Sequence, residues 1–233
     1  MATTGHTVKA FDEDLSELRA IVSEMGGRAE AAIEMAMAAL QHRDLDGANR
    51  VIEADRRIDE LEAEIDRLVV RLIALRAPMA DDLREVLAAM KISGLVERIG
   101  DYAKNIAKRV PVIAETRDIE AISLLPAMGK SVSAMVRDVL DAFAARDAAA
   151  AAEVHARDRE IDNFYNSLFR TLLTHMMENP HTITACTHLL FIGKNLERIG
   201  DHATNIAEMI YFAATGEQLG ERKKGGDAMI GAD

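Results

Sequence analysis

The sequence has little of what builds sheets. It contains no Trp, only 4% aromatic residues, 4 Pro and 14 Gly in 233 residues. Runs of Val, Ile and Thr that would favour strands are missing, whereas Ala, Leu, Met, Glu and Arg are abundant. These abundant side chains lose little rotamer freedom in a helix. The composition therefore predicts an all-α protein.

Cysteine and long apolar runs are also scarce. The single Cys186 excludes an internal disulfide framework and is consistent with a reducing compartment. Its neighbours, Thr-Ala-Cys-Thr-His-Leu, indicate a helix interior, so we expect a buried thiol rather than a nucleophile. The chain shows neither an N-terminal signal core nor a long uninterrupted apolar run. We therefore predict a cytoplasmic protein without membrane insertion.

Positive charge is the third deficit. The chain has 28 basic and 39 acidic residues, a formal net charge of −11. Non-specific binding to a nucleic-acid backbone needs clustered Lys and Arg, and the only basic run, Arg222-Lys223-Lys224, is short. We predict no nucleic-acid partner and a surface suited to cations or to basic proteins.

Apolar residues recur every three or four positions in three successive segments, which is typical of helices that bury one face in a bundle. The first seam runs from Phe11 to Ala36. The third runs from Ile92 through Ile99 to Ile106. The second seam is Val51, Ala54, Ile58, Leu61, Ile65, Leu68, Leu72 and Leu75.

The same plan then occurs again. Glu-Arg-Ile-Gly-Asp-x-Ala-x-Asn-Ile-Ala stands at 97–107 and at 197–207, with nine of eleven residues identical. Such a match indicates an internal duplication. We predict two tandem three-helix bundles, at 8–112 and 113–215, followed by a flexible tail at 216–233.

The repeated segment carries an acidic stripe. Glu97, Asp101 and Asn105 are four residues apart and lie on the face away from the isoleucine seam. Like charges at this spacing destabilise a helix by about 0.2–0.5 kcal/mol, yet Glu197 and Asp201 repeat them. Neighbours that we expect to be exposed differ, as Lys104 does from Thr204. A bound cation would explain why the acidic pair persists.

The preceding helix of each copy adds two more carboxylates, Asp55 with Asp59 and Asp158 with Asp162. Four carboxylates on neighbouring helices form an oxygen-rich site for Mg²⁺, Mn²⁺, iron or Zn²⁺. Paired surface acids remain the alternative interpretation. Glu62 and Asp66 extend the first stripe, whereas Tyr165 and Phe169 take their places in the second, so the two sites are predicted to differ in ion number or affinity.

Enzyme motifs are missing from the sequence. There is no His-Glu-x-x-His zinc motif and no phosphate-binding loop. A ferritin-like di-iron site needs Glu-x-x-His on a helix. The only such spacing, Glu178 to His181, contains Pro180. We predict that the protein is not an enzyme.

The segment from Pro78 to Arg109 and the segment from Asn195 to Ala207 resemble the PhoU family of phosphate-uptake regulators. The resemblance implies two related three-helix bundles, commonly in a homodimer, with multinuclear iron or zinc clusters on E/DxxxD motifs. The residues that match these motifs are Asp55, Asp59, Glu97, Asp101, Asp158, Asp162, Glu197 and Asp201. One departure is Leu95, where the family usually has Asp or Asn, as at Asn195.

The resemblance also implies a role. Such proteins link the ATPase subunit of the high-affinity phosphate ABC transporter to a sensor histidine kinase, and they repress the phosphate-starvation response when phosphate is plentiful. We therefore predict a metal-binding adaptor that acts as a negative regulator. The alternatives are a carboxylate-bridged metalloenzyme and a metal-independent helical scaffold.

Overall fold

The computed structural model describes residues 3–116 and 123–220, and within these ranges it contains helices and no strand. The all-α prediction is confirmed. Most of the predicted tail, from residue 221 on, lies outside the described residues. The first copy contains α1 (Thr3–His42), α2 (Leu45–Arg76), α3 (Asp81–Ala107) and the short α4 (Val110–Ala114). The second contains α5 (Leu124–Ala145), α6 (Ala148–Ala156), α7 (Asp158–Glu178), a 3₁₀ turn (Pro180–Thr182) and α8 (Ile183–Thr215).

The turn between the first two helices of each copy is built in the same way. Arg43 and Arg146 adopt left-handed conformations, with φ of 54° and 56°. The next residue caps the following helix: Asp44 accepts a hydrogen bond from the Gly47 amide, and Asp147 accepts from two amides. The duplication thus preserves both the left-handed turn residue and the aspartate cap.

The second helix of the second copy is divided, which differs from the predicted three helices. At Arg157 the regular ladder gives way to i→i+3 bonds, from the Arg157 amide to Val154 and from the Glu160 amide to Arg157. Such a tightened turn interrupts the helix without reversing the chain. Asp158 therefore begins α7 instead of lying within a longer helix.

The apolar seams form one core. Leu18, Val22 and Met25 of the first seam are fully buried, as predicted, and so is Cys186. The second seam departs at two positions, because Leu75 at its end and Ala54 are both exposed. Asp55, next to Ala54, is only 4% exposed. This carboxylate takes a place in the core where the sequence pattern predicts alanine.

The two copies meet mainly along α3 and α8, which run antiparallel. Tyr102 stacks on His202 at 5.5 Å between ring centroids. Farther along, the Arg109 guanidinium lies over the Phe191 ring. Equivalent residues meet at the Tyr102–His202 stack, so a pseudo-two-fold axis relates the copies there.

A buried carboxylate joins the copies at one end of this pair. Glu85 of α3 accepts a hydrogen bond from Arg19 Nε of α1 at 2.5 Å and another from Arg146 Nε at 3.1 Å. Its duplicated counterpart is Ala185, which is buried.

In the described part of the chain, no helix is long and apolar enough to cross a membrane.

Candidate functional site

The predicted acidic residues lie along two helix pairs, α2 with α3 and α7 with α8. A mid-helix glycine brings each pair close. A Cβ added at Gly100 would lie 2.8 Å from Ile58 Cδ1, and one added at Gly200 would lie 3.3 Å from Ile161 Cγ2. Because glycine has no side chain there, the carboxylates on one helix can face those on the other.

In the first cluster a lysine lies between two of the predicted metal ligands. The Lys104 ammonium donates to Asp101 Oδ1 at 2.7 Å and to Asp55 Oδ2. Its side chain is 21% exposed, so the expectation that Lys104 is an exposed neighbour was wrong. Burial lowers the pKa of Lys104, but the two hydrogen bonds outweigh burial and raise it.

The other end of the first cluster gathers several carboxylates around one cation, Arg98, whose Nε lies 3.7 Å from Glu97 Oε2. Burial and the Asp101 carboxylate raise the pKa of Glu97, and Glu62 adds to the effect. Burial, Asp66 and Asp59 raise the pKa of Glu62. Asp59 behaves in the same way, since burial and Asp55 raise its pKa. A cation bound at this end would relieve these repulsions.

In the second cluster the lysine lies at a different place. Lys194 donates to Glu197 Oε1 at 2.6 Å, and its ammonium lies 5.3 Å from the centroid of the Tyr165 ring. The pKa of Glu197 is nevertheless raised, chiefly by burial. Glu197 Oε2 is buried and has no hydrogen-bond partner within the described ranges. It is an acceptor oxygen that a cation could satisfy.

A threonine occupies the position that Lys104 has in the first copy. Thr204 is fully buried, so it too was wrongly expected to be exposed. Its hydroxyl oxygen lies 3.1 Å from Asp158 Oδ1 and 2.9 Å from the Gly200 carbonyl oxygen. A hydroxyl adds a neutral oxygen beside Asp158, whereas Lys104 adds a positive charge beside Asp55.

The fit of these residues to metal ions differs between the copies. Among residues 3–116 and 123–220, no three His, Cys, Asp or Glu side chains are arranged to hold one ion as they stand. In the first copy, Lys104 takes up the Asp55–Asp101 end. In the second, the oxygen donors and the unpartnered Glu197 Oε2 suit a hard cation. Side chains would have to turn for an ion to bind.

The predicted residues are thus partly brought together. Asp55 and Asp101 share Lys104, while Asp162 and Asp201 both act on the pKa of Glu197. Sequence reasoning missed the counter-ions Lys104 and Lys194. The spacing of Lys104, three residues after Asp101 on the same helix, was a signal that could have indicated the first of them.

Comparison with known proteins places the chain in context. The family model described as "PhoU domain" matches it twice, at residues 22–110 and 125–210. A protein of Zymomonas mobilis, named "Phosphate-specific transport system accessory protein PhoU homolog", is 58% identical, over 97% of this chain and 95% of its own length. A protein of the same name from Caulobacter vibrioides is 52% identical, over 93% and 94%.

Two solved structures of PhoU proteins are similar to this one. The crystal structure of PhoU from Pseudomonas aeruginosa matches with a TM-score of 0.86 at 36% identity, covering 89% of this chain and all of that one. PhoU from Streptococcus pneumoniae, whose title calls it a phosphate transport system regulatory protein, matches with a TM-score of 0.84 at 31% identity, covering 91% and 100%. Each matched segment lies within one of the two structural copies. This chain belongs to the PhoU family.

Proposed function

We propose that this protein is a non-catalytic regulator of phosphate uptake, acting as an accessory protein of a phosphate transport system. The observation that carries the proposal is the near full-length similarity to relatives whose names state that role. In this role it would repress the phosphate-starvation response when phosphate is plentiful. Its partners would be the transporter ATPase subunit and a sensor histidine kinase.

Exposed apolar side chains support binding to other proteins. Met79, beside the turn that leads into α3, is 78% exposed, and Met177, at the end of α7, is 77% exposed. Leu75 and Ile183 lie near these turns and are exposed as well. Such groups are typical of surfaces that contact a partner. Either the transporter, the kinase or a second copy of this chain in a homodimer would cover them.

Deletion of the gene tests the regulatory role. If the protein represses the starvation response, phosphatase expression in high phosphate will rise in the deletion strain and return to normal on complementation. Unchanged repression in the deletion strain would contradict the proposal. Co-purification from phosphate-replete cells identifies whether the ATPase subunit, the kinase or both are retained.

We also propose that the two clusters bind metal ions as part of this adaptor. Asp55, Asp59, Glu97 and Asp101 would serve the first copy, and Asp158, Asp162, Glu197 and Asp201 the second. Burial, and to a smaller extent neighbouring carboxylates, raises the pKa of Glu97 and of Glu197, so a bound cation would stabilise their charged forms. Iron and zinc are the predicted ions, and the all-oxygen donor set also suits Mg²⁺ or Mn²⁺.

Metal analysis by plasma mass spectrometry tests the metal proposal. Wild type should retain metal after purification, and a Glu97→Ala/Glu197→Ala double variant should retain much less. Exposed Glu34 provides the control, because it is a carboxylate outside both clusters that pairs with Arg137 of α5. Equal, near-zero metal content in wild type and the double variant would contradict the metal proposal.

A further inference from the structure

A cavity of about 320 Å³ lies between the two copies, where α8 ends and α3 begins. Its walls are mainly apolar and include Ile92 of α3, Phe143 of α5, and Ile210 and Ala213 of α8. Within the described ranges no side chain fills it. A cavity of this size with apolar walls is typical of a binding site, because covering apolar surface removes it from water.

The opposite end of the α3–α8 pair differs at the residue that matters most. The counterpart of Ala213 in the first copy is Ile113 of α4, which is only 1% exposed. Ala213 is smaller and stays partly exposed. The second copy therefore has a small side chain where the first has a large buried one, and the space at Ala213 is available to another group.

Charged groups of both signs surround the cavity. The exposed carboxylates Asp81 and Asp82 line it, and so does Arg146, whose side chain is 54% exposed. Arg84 donates to Asp81 at 2.6 Å, and Asp82 interacts electrostatically with Arg146. Exposed charges of this kind contribute little affinity but orient a partner. They suit a segment that carries basic, acidic and apolar residues together.

The chain itself leaves α8 beside this cavity. After Thr215, Gly216 adopts a left-handed conformation with φ of 76°. A Cβ added at Gly216 would lie 3.7 Å from Arg84 Cζ, so the chain passes the arginine that pairs with Asp81. Leu219 is partly buried. The described chain thus ends close to the cavity opening.

The residues that follow have the required composition. Arg222-Lys223-Lys224 is basic, Gly225-Gly226 adds conformational freedom, and Asp227 precedes the apolar run Ala228-Met229-Ile230. The stretch from Gly220 to Met229 spans roughly 30 Å when extended, which is ample for a cavity beside its starting point. Because this segment is tethered there, its effective concentration is high.

We propose that residues 222–230 are a built-in ligand of this cavity. Met229 and Ile230 cover the apolar walls, the basic run lies beside Asp81 and Asp82, and Asp227 faces Arg146. The segment is then held by the fold, unlike the flexible tail that the sequence predicts. It covers the junction of the two copies and competes with any outside group for that place. The inference goes beyond the proposed function and does not depend on it.

Trypsin provides the test, since its cleavage sites Arg222, Lys223 and Lys224 lie within the segment. Full-length protein is digested, and loss of the tail is timed by mass spectrometry. Met229→Asp should undock the tail and speed its removal roughly tenfold, because cleavage follows the population of the open form. Ala232→Asp adds the same charge beyond the apolar run and should leave the wild-type rate unchanged.

A second arm alters the cavity and leaves the tail as it is. Ala213→Ile introduces the residue of the first copy, fills the cavity and should raise the cleavage rate as Met229→Asp does. Ala63→Ile, at an exposed position on α2, is the matched control and should not. The Ala213→Ile/Met229→Asp double variant should be cleaved no faster than either single variant, because both remove one interaction. Thermal melts establish that each variant folds.

Crosslinking tests the same contact without filling the cavity. Cysteines introduced as Met229→Cys and Ala214→Cys, the latter at an exposed position lining the cavity, should form a disulfide within one chain. Met229→Cys with Ala63→Cys should form it much less.

Three results would overturn the proposal. The first is a wild-type tail cleaved as fast as that of Met229→Asp. The second is a protected tail whose cleavage Ala213→Ile does not change and whose cysteine does not crosslink to position 214, which would place the tail elsewhere. The third is protection that disappears on dilution, which would assign the cavity to the tail of a second copy of this chain.

Discussion

The two copies keep the same four acidic positions but neutralise them differently. In the first, Lys104 bridges Asp55 and Asp101, and Arg98 Nε lies 3.7 Å from Glu97 Oε2. In the second, Lys194 pairs with Glu197, and Thr204 lies beside Asp158. Duplication has preserved the carboxylates but not the position of the lysine that pairs with them. Two clusters with nearly the same acidic motif can therefore differ in which basic side chain neutralises them and where it lies.

The two copies contribute different residues to their junction, Glu85 from the first and its counterpart Ala185 from the second. Substitution of Glu85 should have the largest effect on stability. Glu85→Ala removes a buried acceptor and leaves Arg19 and Arg146 without their shared partner. Since both arginines can turn partly toward water, we expect a loss of about 2–3 kcal/mol in the free energy of unfolding. Urea denaturation measures it.

The matched control for Glu85 is Glu34. Like Glu85 it pairs with an arginine, in this case Arg137 of α5, at 3.1 Å. Both groups of that pair are exposed, so Glu34→Ala should lower the free energy of unfolding far less than Glu85→Ala does. Equal losses for Glu85→Ala and Glu34→Ala would mean that the buried triad does not hold the copies together.

The next effect compares the two lysines in metal-free protein. Lys104→Thr leaves the buried Asp55 with a weaker partner and should lower stability by about 1–2 kcal/mol. Lys194→Ala should lower it by less than about 1 kcal/mol, because the Lys194 side chain is 39% exposed. Thermal melts of both variants give the order, and a larger loss for Lys194→Ala would reverse our comparison of the two counter-ions.

The smallest expected effect is an increase in stability, for Glu97→Gln. Because the pKa of Glu97 is raised, the folded state binds its proton more tightly than the unfolded state, and stability falls as pH rises through this pKa. Glu97→Gln should therefore stabilise metal-free protein at neutral pH by about 0.2–0.5 kcal/mol. The gain should vanish at acid pH, where Glu97 is already protonated.

Glu197→Gln sharpens this comparison. The pKa of Glu197 is also raised, but the substitution weakens its hydrogen bond with Lys194. Its gain at neutral pH should be smaller than that of Glu97→Gln. Melts at neutral and acid pH measure both. A loss of stability for Glu97→Gln at neutral pH would argue that the first cluster is not electrostatically strained.

The sequence predicts much of the fold because its seams are regular. The spacing that places Leu18, Val22 and Met25 on one face also buries them. The seam spacing is wrong at Ala54, because a hydrophobic pattern assigns the buried position to the apolar residue. The neighbouring Asp55 is buried instead, since it pairs with Lys104 of another helix. The break at Arg157 was missed for a similar reason, since no proline or glycine marks it.

Of the candidate site, the sequence predicted the carboxylates but not the Lys104 and Thr204 side chains that contact them. Repetition singles out Glu97, Asp101 and their counterparts, since identical residues at equal spacing are visible in one chain. Lys104 and Thr204 differ between the copies, so they were taken for drifting surface positions. Their role depends on contacts across two helices, Lys104 with Asp55 and Thr204 with Asp158. Such contacts emerge only when the helices are packed.

The most direct measurement counts the metal ions that each copy retains. Wild type and the Glu97→Ala, Glu197→Ala and Glu97→Ala/Glu197→Ala variants are purified in the same way and analysed by plasma mass spectrometry. We predict that each single variant retains less metal than wild type and that the double variant retains the least. Equal metal content in wild type and the double variant would contradict the account.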